Sequence, residues 1–197
     1  MLNTDEISFY LSIYKELSLK DMYELVTLAK TRKIAAGEVY IDIDTICHKV
    51  AFIKSGLIRG YHLKENGEER TLLLRWENQF IAAADTIVFE KPSRFIYQAL
   101  EDTVIMELDF KKAQPIINNN PRLSAKRNAI ILGMLAEYME RVESFVLLST
   151  AERYMKLVHD KPDIVNRVPN KYLATLLGIT PVSLSRIRKR IASPKKR

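Results

Sequence analysis

Residues 170–191 read NKYLATLLGITPVSLSRIRKRI, and this stretch decides how the rest of the chain is understood. Ala174 is small where two helices would cross closely. Gly178, four residues on, supplies a turn in which glycine takes a positive φ at little cost. Thr180 suits an N-cap and Pro181 the first helical position, where a missing N–H loses nothing. Leu173, Leu177, Ile179, Leu184 and Ile187 are apolar at the positions that must pack the two helices together. The spacing predicts a helix-turn-helix, whose second helix enters the DNA major groove and reaches base edges with its N-terminal residues. Val182, Ser183, Ser185, Arg186, Lys189 and Arg190 then fall on the outer surface. Arg186 is the expected base reader, because arginine grips guanine O6 and N7 with ~1–3 kcal/mol of discrimination. Val182 suits a thymine methyl and Ser183 a base or a phosphate. Arg188, Lys189, Arg190 and the tail Lys195-Lys196-Arg197 suit phosphates, which carry affinity but no sequence information. Thr180, Ser185 and Lys171 complete the DNA-facing set.

The charge distribution agrees. The net charge is +7 over 197 residues. From Arg153 onward twelve Lys/Arg face two acids, a balance of +10, and the preceding 152 residues carry nineteen against twenty-two, a balance of −3. An acidic body with a basic end is the asymmetry of a chain whose one end meets a polyanion. No apolar run approaches the ~18 residues of a membrane span. The start, MLNTDEISFY, has acids where a secretion signal carries bases, so a cytoplasmic protein is expected. The single cysteine, Cys47, excludes an internal disulfide and an all-cysteine metal or iron–sulfur site within one chain. His48, His62 and His159 are scattered without metal-ligand spacing, so no metal is expected.

Outward from the terminus, Ile131, Met134, Leu135, Tyr138, Val142, Phe145 and Leu148 form a stripe at spacings of three and four along one long helix. Such a seam predicts pairing with a second copy through Ile131, Met134, Leu135, Tyr138, Val142 and Phe145. Before it, from Ile34, come short runs rich in β-branched and aromatic residues, punctuated by Gly37, Ser55-Gly56 and Asn66-Gly67. KENGEER between two of them is a hairpin signal, since Asn-Gly tolerates the positive φ of tight turns. Strands at such intervals predict an antiparallel barrel, roll or sandwich. Residues 5–33 read as helical. Between the long helix and the helix pair, DIVNRVP is the place for any small wing.

With these parts in order, nearly the whole chain resembles the Crp/Fnr family of bacterial transcription regulators. The resemblance is strongest in AFIKSGLIRGYHLKENGEERTLLLRWENQFI and in LATLLGITPVSLSRIRK, while PSRFIYQALEDTVIMEL looks like the strands that close that family's roll. It implies an α+β chain, with an antiparallel β-roll of the double-stranded β-helix or jelly-roll type flanked by helices. The implied domains are a cyclic-nucleotide-binding-like sensor over residues 1–120, a dimerisation helix over 121–149 and a helix-turn-helix domain over 150–197. It further implies a homodimer on double-stranded, pseudo-palindromic DNA, and contact with RNA polymerase. The implied effector pocket falls at Phe80, Ala82, Ala83, Ser93 and Arg94. Nucleotide-binding members carry a Gly-Glu pair where Ala82-Ala83 stand here, and an Arg-Ser or similar pair where Ser93-Arg94 stand. Without that carboxylate the ribose has no acceptor, so cyclic AMP in the usual manner is not expected and no cofactor is assigned. A cysteine-ligated cluster is excluded by count.

Two other classes compare poorly. A metal-dependent cupin enzyme needs two or three histidines with a glutamate, and GYHLKENGEE offers one, so no catalytic residue is expected. A small-molecule sensor without DNA recognition is the alternative, and the helix-turn-helix opposes it.

Overall fold

The computed structural model describes Tyr23 and Thr27–Ala192. Most of the helical reading over residues 5–33 lies outside these residues. Its last part is corrected: Lys30–Ile34 is a strand, β1, paired antiparallel with Thr103–Glu107. Helical spacing was too weak a guide there, because the ladder to a strand seventy residues away decides the local structure.

The described residues form two four-stranded sheets. One runs β1, β8 (Thr103–Asp109), β3 (Lys49–Ser55), β6 (Phe80–Ala82). The other runs β2 (Val39–Ile41), β7 (Ile96–Ala99), β4 (Ile58–Leu63), β5 (Glu69–Arg75). Alternation sets the register: Ala51 and Ile53 on β3, and Thr103, Ile105 and Glu107 on β8, are buried while their neighbours are not. Two glycines are required by geometry. Gly56, between β3 and β4, has φ 105°, and a Cβ there would stand 2.6 Å from the Thr103 Cα. Gly67, φ 80°, closes the β4–β5 hairpin, where Lys64 N–H bonds the Glu68 carbonyl and Asn66 Oδ1 accepts from Glu68 N–H. The Asn-Gly expectation holds.

Seven helices follow the numbering of the described chain. α1 (Ala84–Phe89) and α2 (Phe110–Asn119) have no counterpart in the sequence reading. The first is too short for a periodic signal, and the second contains Pro115 but is held by Asp109, whose side chain accepts the Lys112 N–H. α3 (Pro121–Leu147) is the long helix, and α4 (Thr150–Asp160) starts at a capping box of Ser149 and Glu152. DIVNRVP, read as the place for any small wing, falls mostly in helix α5 (Pro162–Arg167). Pro162 stands at its start, Asp163 in its first turn favours the helix dipole, and Ile164 and Val165 are buried together. α6 (Asn170–Leu176) and α7 (Pro181–Ala192) complete the described residues.

By contacts the chain divides into two compact units. The first holds the described residues up to Arg59 and Leu74–Leu135, with Ile34, Ile41, Ile53, Ile58, Ile96, Tyr97 and Ile105 in its core. Within it Glu107, nearly buried, accepts from Lys49 Nζ at 2.7 Å. The second holds Gly60–Leu73 and the described residues from Ala136 onward, with Ile164, Val168, Leu173, Ala174, Leu177 and Leu184 in its core. No described helix is long and apolar enough to cross a membrane.

Candidate nucleic-acid interface

The pair α6 and α7 is closed by the residues that define its sequence pattern. Leu173 and Ala174 are fully buried and Leu184 is 1% exposed. Burial of each leucine stabilises the pair by roughly 1.5–3 kcal/mol relative to leaving it in water. At the end of α6 Gly178 takes φ 75°. Its N–H bonds the Thr175 carbonyl at 3.2 Å, and Ile179 N–H bonds the Ala174 carbonyl at 2.9 Å, a Schellman termination. Thr180 then caps α7: its Oγ1 accepts the Ser183 N–H at 3.2 Å and lies 3.0 Å from Ser183 Oγ. The turn is therefore fixed at both sides.

What α7 leaves outward is a mixed apolar and basic face. Val182 is 61% exposed, and Ser185, Arg186, Lys189 and Arg190 are exposed as well. Lys171, at the start of α6, is exposed with Nζ 4.7 Å over the Tyr172 ring. Thr180 and Ser183 spend their hydroxyls on the cap. Arg188 lies differently from its neighbours. Its Nε donates to the Tyr154 hydroxyl at 2.9 Å, its Nη1 donates to Asn170 Oδ1 at 2.6 Å, and its guanidinium stands 5.4 Å from the Tyr154 ring. It ties α7 to α4 and α6. The signal was present in the sequence, since Leu184, Arg188 and Ile191 recur at four and three and so share a helix face.

Behind the turn stands a set of residues that sequence reasoning assigned elsewhere or missed. A Cβ on Gly178 would approach Phe145 Cε1 to 3.3 Å. The Phe145 ring carries Arg153 at 4.5 Å and Arg141 at 5.4 Å. Arg141 Nη2 donates to the Leu176 carbonyl at 2.9 Å, and Arg153 Nη2 to the Leu177 carbonyl at 3.3 Å. Two cations thus meet the negative end of α6 and its unsatisfied carbonyls.

Along α3 the apolar residues named for pairing are partly in water: Ile131 54%, Leu135 52%, Tyr138 37% and Val142 63% exposed, with Met134 half-buried. Leu132, Met139 and Val146, absent from the sequence reading, are exposed to a similar or greater degree.

In the first unit each of the five residues of the implied effector pocket has its own local partners. Phe80 packs on Phe52, with ring centroids 5.2 Å apart. Ala82 is half-buried and Ala83, almost wholly buried, precedes α1. Ser93 is buried, with its Oγ donating to the Phe95 carbonyl and its backbone paired to Thr45 and Asp44. Arg94 is held by Asp85: Nε and Nη2 donate to Oδ1 at 3.0 and 2.8 Å, and the Arg94 N–H donates to Oδ2 at 3.1 Å. The Arg94 hydrogen bonds hold the Asp85 carboxyl below its ordinary range, against burial, which opposes the charge. Among the described residues no three His, Cys, Asp or Glu side chains come together to hold a metal.

No protein-family model and no curated relative matches the chain. Solved structures do. A protein from Eubacterium rectale described as a transcriptional regulator of the crp/fnr family superposes with a TM-score of 0.72 at 15% identity, over 91% of this chain and 85% of that one. FixK2 from Bradyrhizobium japonicum gives 0.71 at 15% identity, over 83% and 84%. CLP from Xanthomonas campestris, a c-di-GMP responsive global regulator, gives 0.69 at 14% identity, over 88% and 91%.

Proposed function

We propose that this chain, which has the fold of the Crp/Fnr regulators, is a homodimeric, sequence-specific DNA-binding transcription regulator. The observation that carries the reading is the outward face of α7. Val182, Ser185, Arg186, Lys189 and Arg190 are all exposed on a helix whose opposite side is locked by Leu184 and whose start is capped by Thr180. Arg186 reads a base, Val182 and Ser185 meet the groove, and Lys189, Arg190 and Lys171 meet phosphates. Arg188 keeps the helix in position.

Dimerisation runs along α3. Leu132, Leu135, Met139, Val142 and Val146 alternate at three and four residues and are 52–76% exposed, the pattern of a seam awaiting a second helix. The two recognition helices then sit about one turn of DNA apart, ~34–36 Å, on a pseudo-palindromic site. The sensor, dimerisation and DNA-reading parts follow residues 1–120, 121–149 and 150–197. Contact with RNA polymerase, a cytoplasmic location and the lack of any catalysed reaction follow from the same reading. The roll does not take cyclic AMP in the usual way: position 82–83 offers no carboxylate, and Arg94 already has one in Asp85.

The test is a fluorescence-anisotropy titration of DNA fragments upstream of the chain's own gene, at two salt concentrations, with wild type and Arg186→Ala. The expected result is one preferred fragment, steep weakening with salt, and loss of preference in the variant by ~1–3 kcal/mol. Binding that is equal on all fragments and untouched by the substitution sinks the reading.

A further inference from the structure

We propose that a groove in the second unit is a binding site for a small organic anion with an apolar body. The groove, about 1040 Å³, opens between α4, α5 and α7. Its apolar lining includes Met155 and Val158 of α4, Val165 and Val168 at and after α5, and Ile191 of α7. Met155 is 54%, Val158 36% and Ile191 44% exposed. The contact between α6 and α7, by contrast, is closed around Leu173 and Leu184. Apolar walls with a few convergent polar groups, in an open groove just above the ~300–1,000 Å³ of small-molecule sites, suit an amphipathic ligand.

Charge selects the ligand class. Arg167, Arg188 and His159 line the groove, and no described aspartate or glutamate does. His159 is itself bonded to Asp160, which lies outside the lining, so Arg188 sets the sign. Arg188 is held in place by Tyr154 and Asn170, and neither of those bonds uses Nη2. A guanidinium fixed beside an apolar wall favours a carboxylate or sulfonate, because a charge-assisted, bidentate bond is about twice as strong as a neutral one. A neutral apolar molecule forgoes that bond, and a polyanion such as DNA forgoes the apolar walls. The occupant is therefore a free amphipathic anion, an aromatic or aliphatic body bearing one acid group. Because Arg188 and Ile191 belong to α7, occupancy bears directly on the helix assigned to DNA reading. Only that consequence rests on the regulator reading, and binding itself does not.

The experiment titrates the full chain with the fluorescent anion anilinonaphthalene sulfonate and with phenyl-naphthylamine, which keeps the rings and lacks the acid. Wild type is compared with Val158→Glu and Met155→Glu, each checked for fold by circular dichroism. The expected result is a sulfonate probe bound about ten-fold tighter than the neutral one, and a drop of about ten-fold for the sulfonate in either glutamate variant. Equal binding of the two probes overturns the proposal in favour of a plain apolar docking face. Sulfonate binding unchanged in both variants overturns it by placing the probe elsewhere. Should one variant fail to fold, the other decides. DNA titration of the same wild-type sample fails or succeeds separately.

Discussion

Gly178→Ala is the substitution whose cost is best worked from the structure. Gly178 holds φ 75°, where an L-residue pays about 1–2 kcal/mol. Its new Cβ would also stand 3.3 Å from Phe145 Cε1, so the ring must give by a few tenths of an ångström. That ring is 42% exposed, but Arg141 and Arg153 lie on it and are themselves bonded to the carbonyls of Leu176 and Leu177, so its shift disturbs those contacts. Overpacking of this kind adds roughly 1 kcal/mol, at the low end for an inserted methyl. Gly67→Ala is the control: φ is 80°, and an added Cβ meets nothing within 4 Å. The expected loss in urea unfolding is about 2–3 kcal/mol for Gly178→Ala and about 1–2 kcal/mol for Gly67→Ala. Adding Phe145→Leu should recover part of the difference in the first case and none in the second. Equal costs for the two glycine substitutions, or no coupling between positions 145 and 178 in the double-mutant cycle, would refute the packing argument.

Asp85→Asn should change how stability responds to acid. The folded Asp85 pKa lies below its ordinary value, so its contribution is fully present above the unfolded pKa and is lost as pH falls through the folded one. Wild type should exceed the variant at neutral pH, with the gap closing below about pH 4; parallel urea curves at every pH would contradict the ion-pair account. Val142→Glu, with Met139→Glu as a second case, should convert a dimer to monomer in sedimentation velocity, because each places a charge in an apolar seam. Unchanged sedimentation of both would remove α3 as the pairing helix.

The helix-turn-helix was legible because its determinants are local: Ala174, Gly178, Thr180 and Pro181 fall within one short window and act on their own neighbours. Asn66-Gly67 was legible for the same reason. Helix α5 was not legible because Ile164-Val165, two adjacent apolar residues, suits a buried strand as well as a short helix, and Pro162 with Asp163 tips the balance. Phe145 shares a three-and-four spacing with the α3 stripe, yet the contacts that claim it come from Arg153 and Gly178, which no period along α3 records. The Asp85–Arg94 pair depends on where α1 turns, and a six-residue helix leaves no periodic trace.

The arginines that reach the end of α6 set a limit on how the chain can be cut. A fragment beginning at Asn170 retains the whole sequence signature of the helix-turn-helix, but loses both donors to the Leu176 and Leu177 carbonyls. One beginning at Thr150 recovers Arg153 and still lacks Arg141 and the ring it covers. The support of the helix pair therefore reaches beyond its motif, into α3 as far as Arg141.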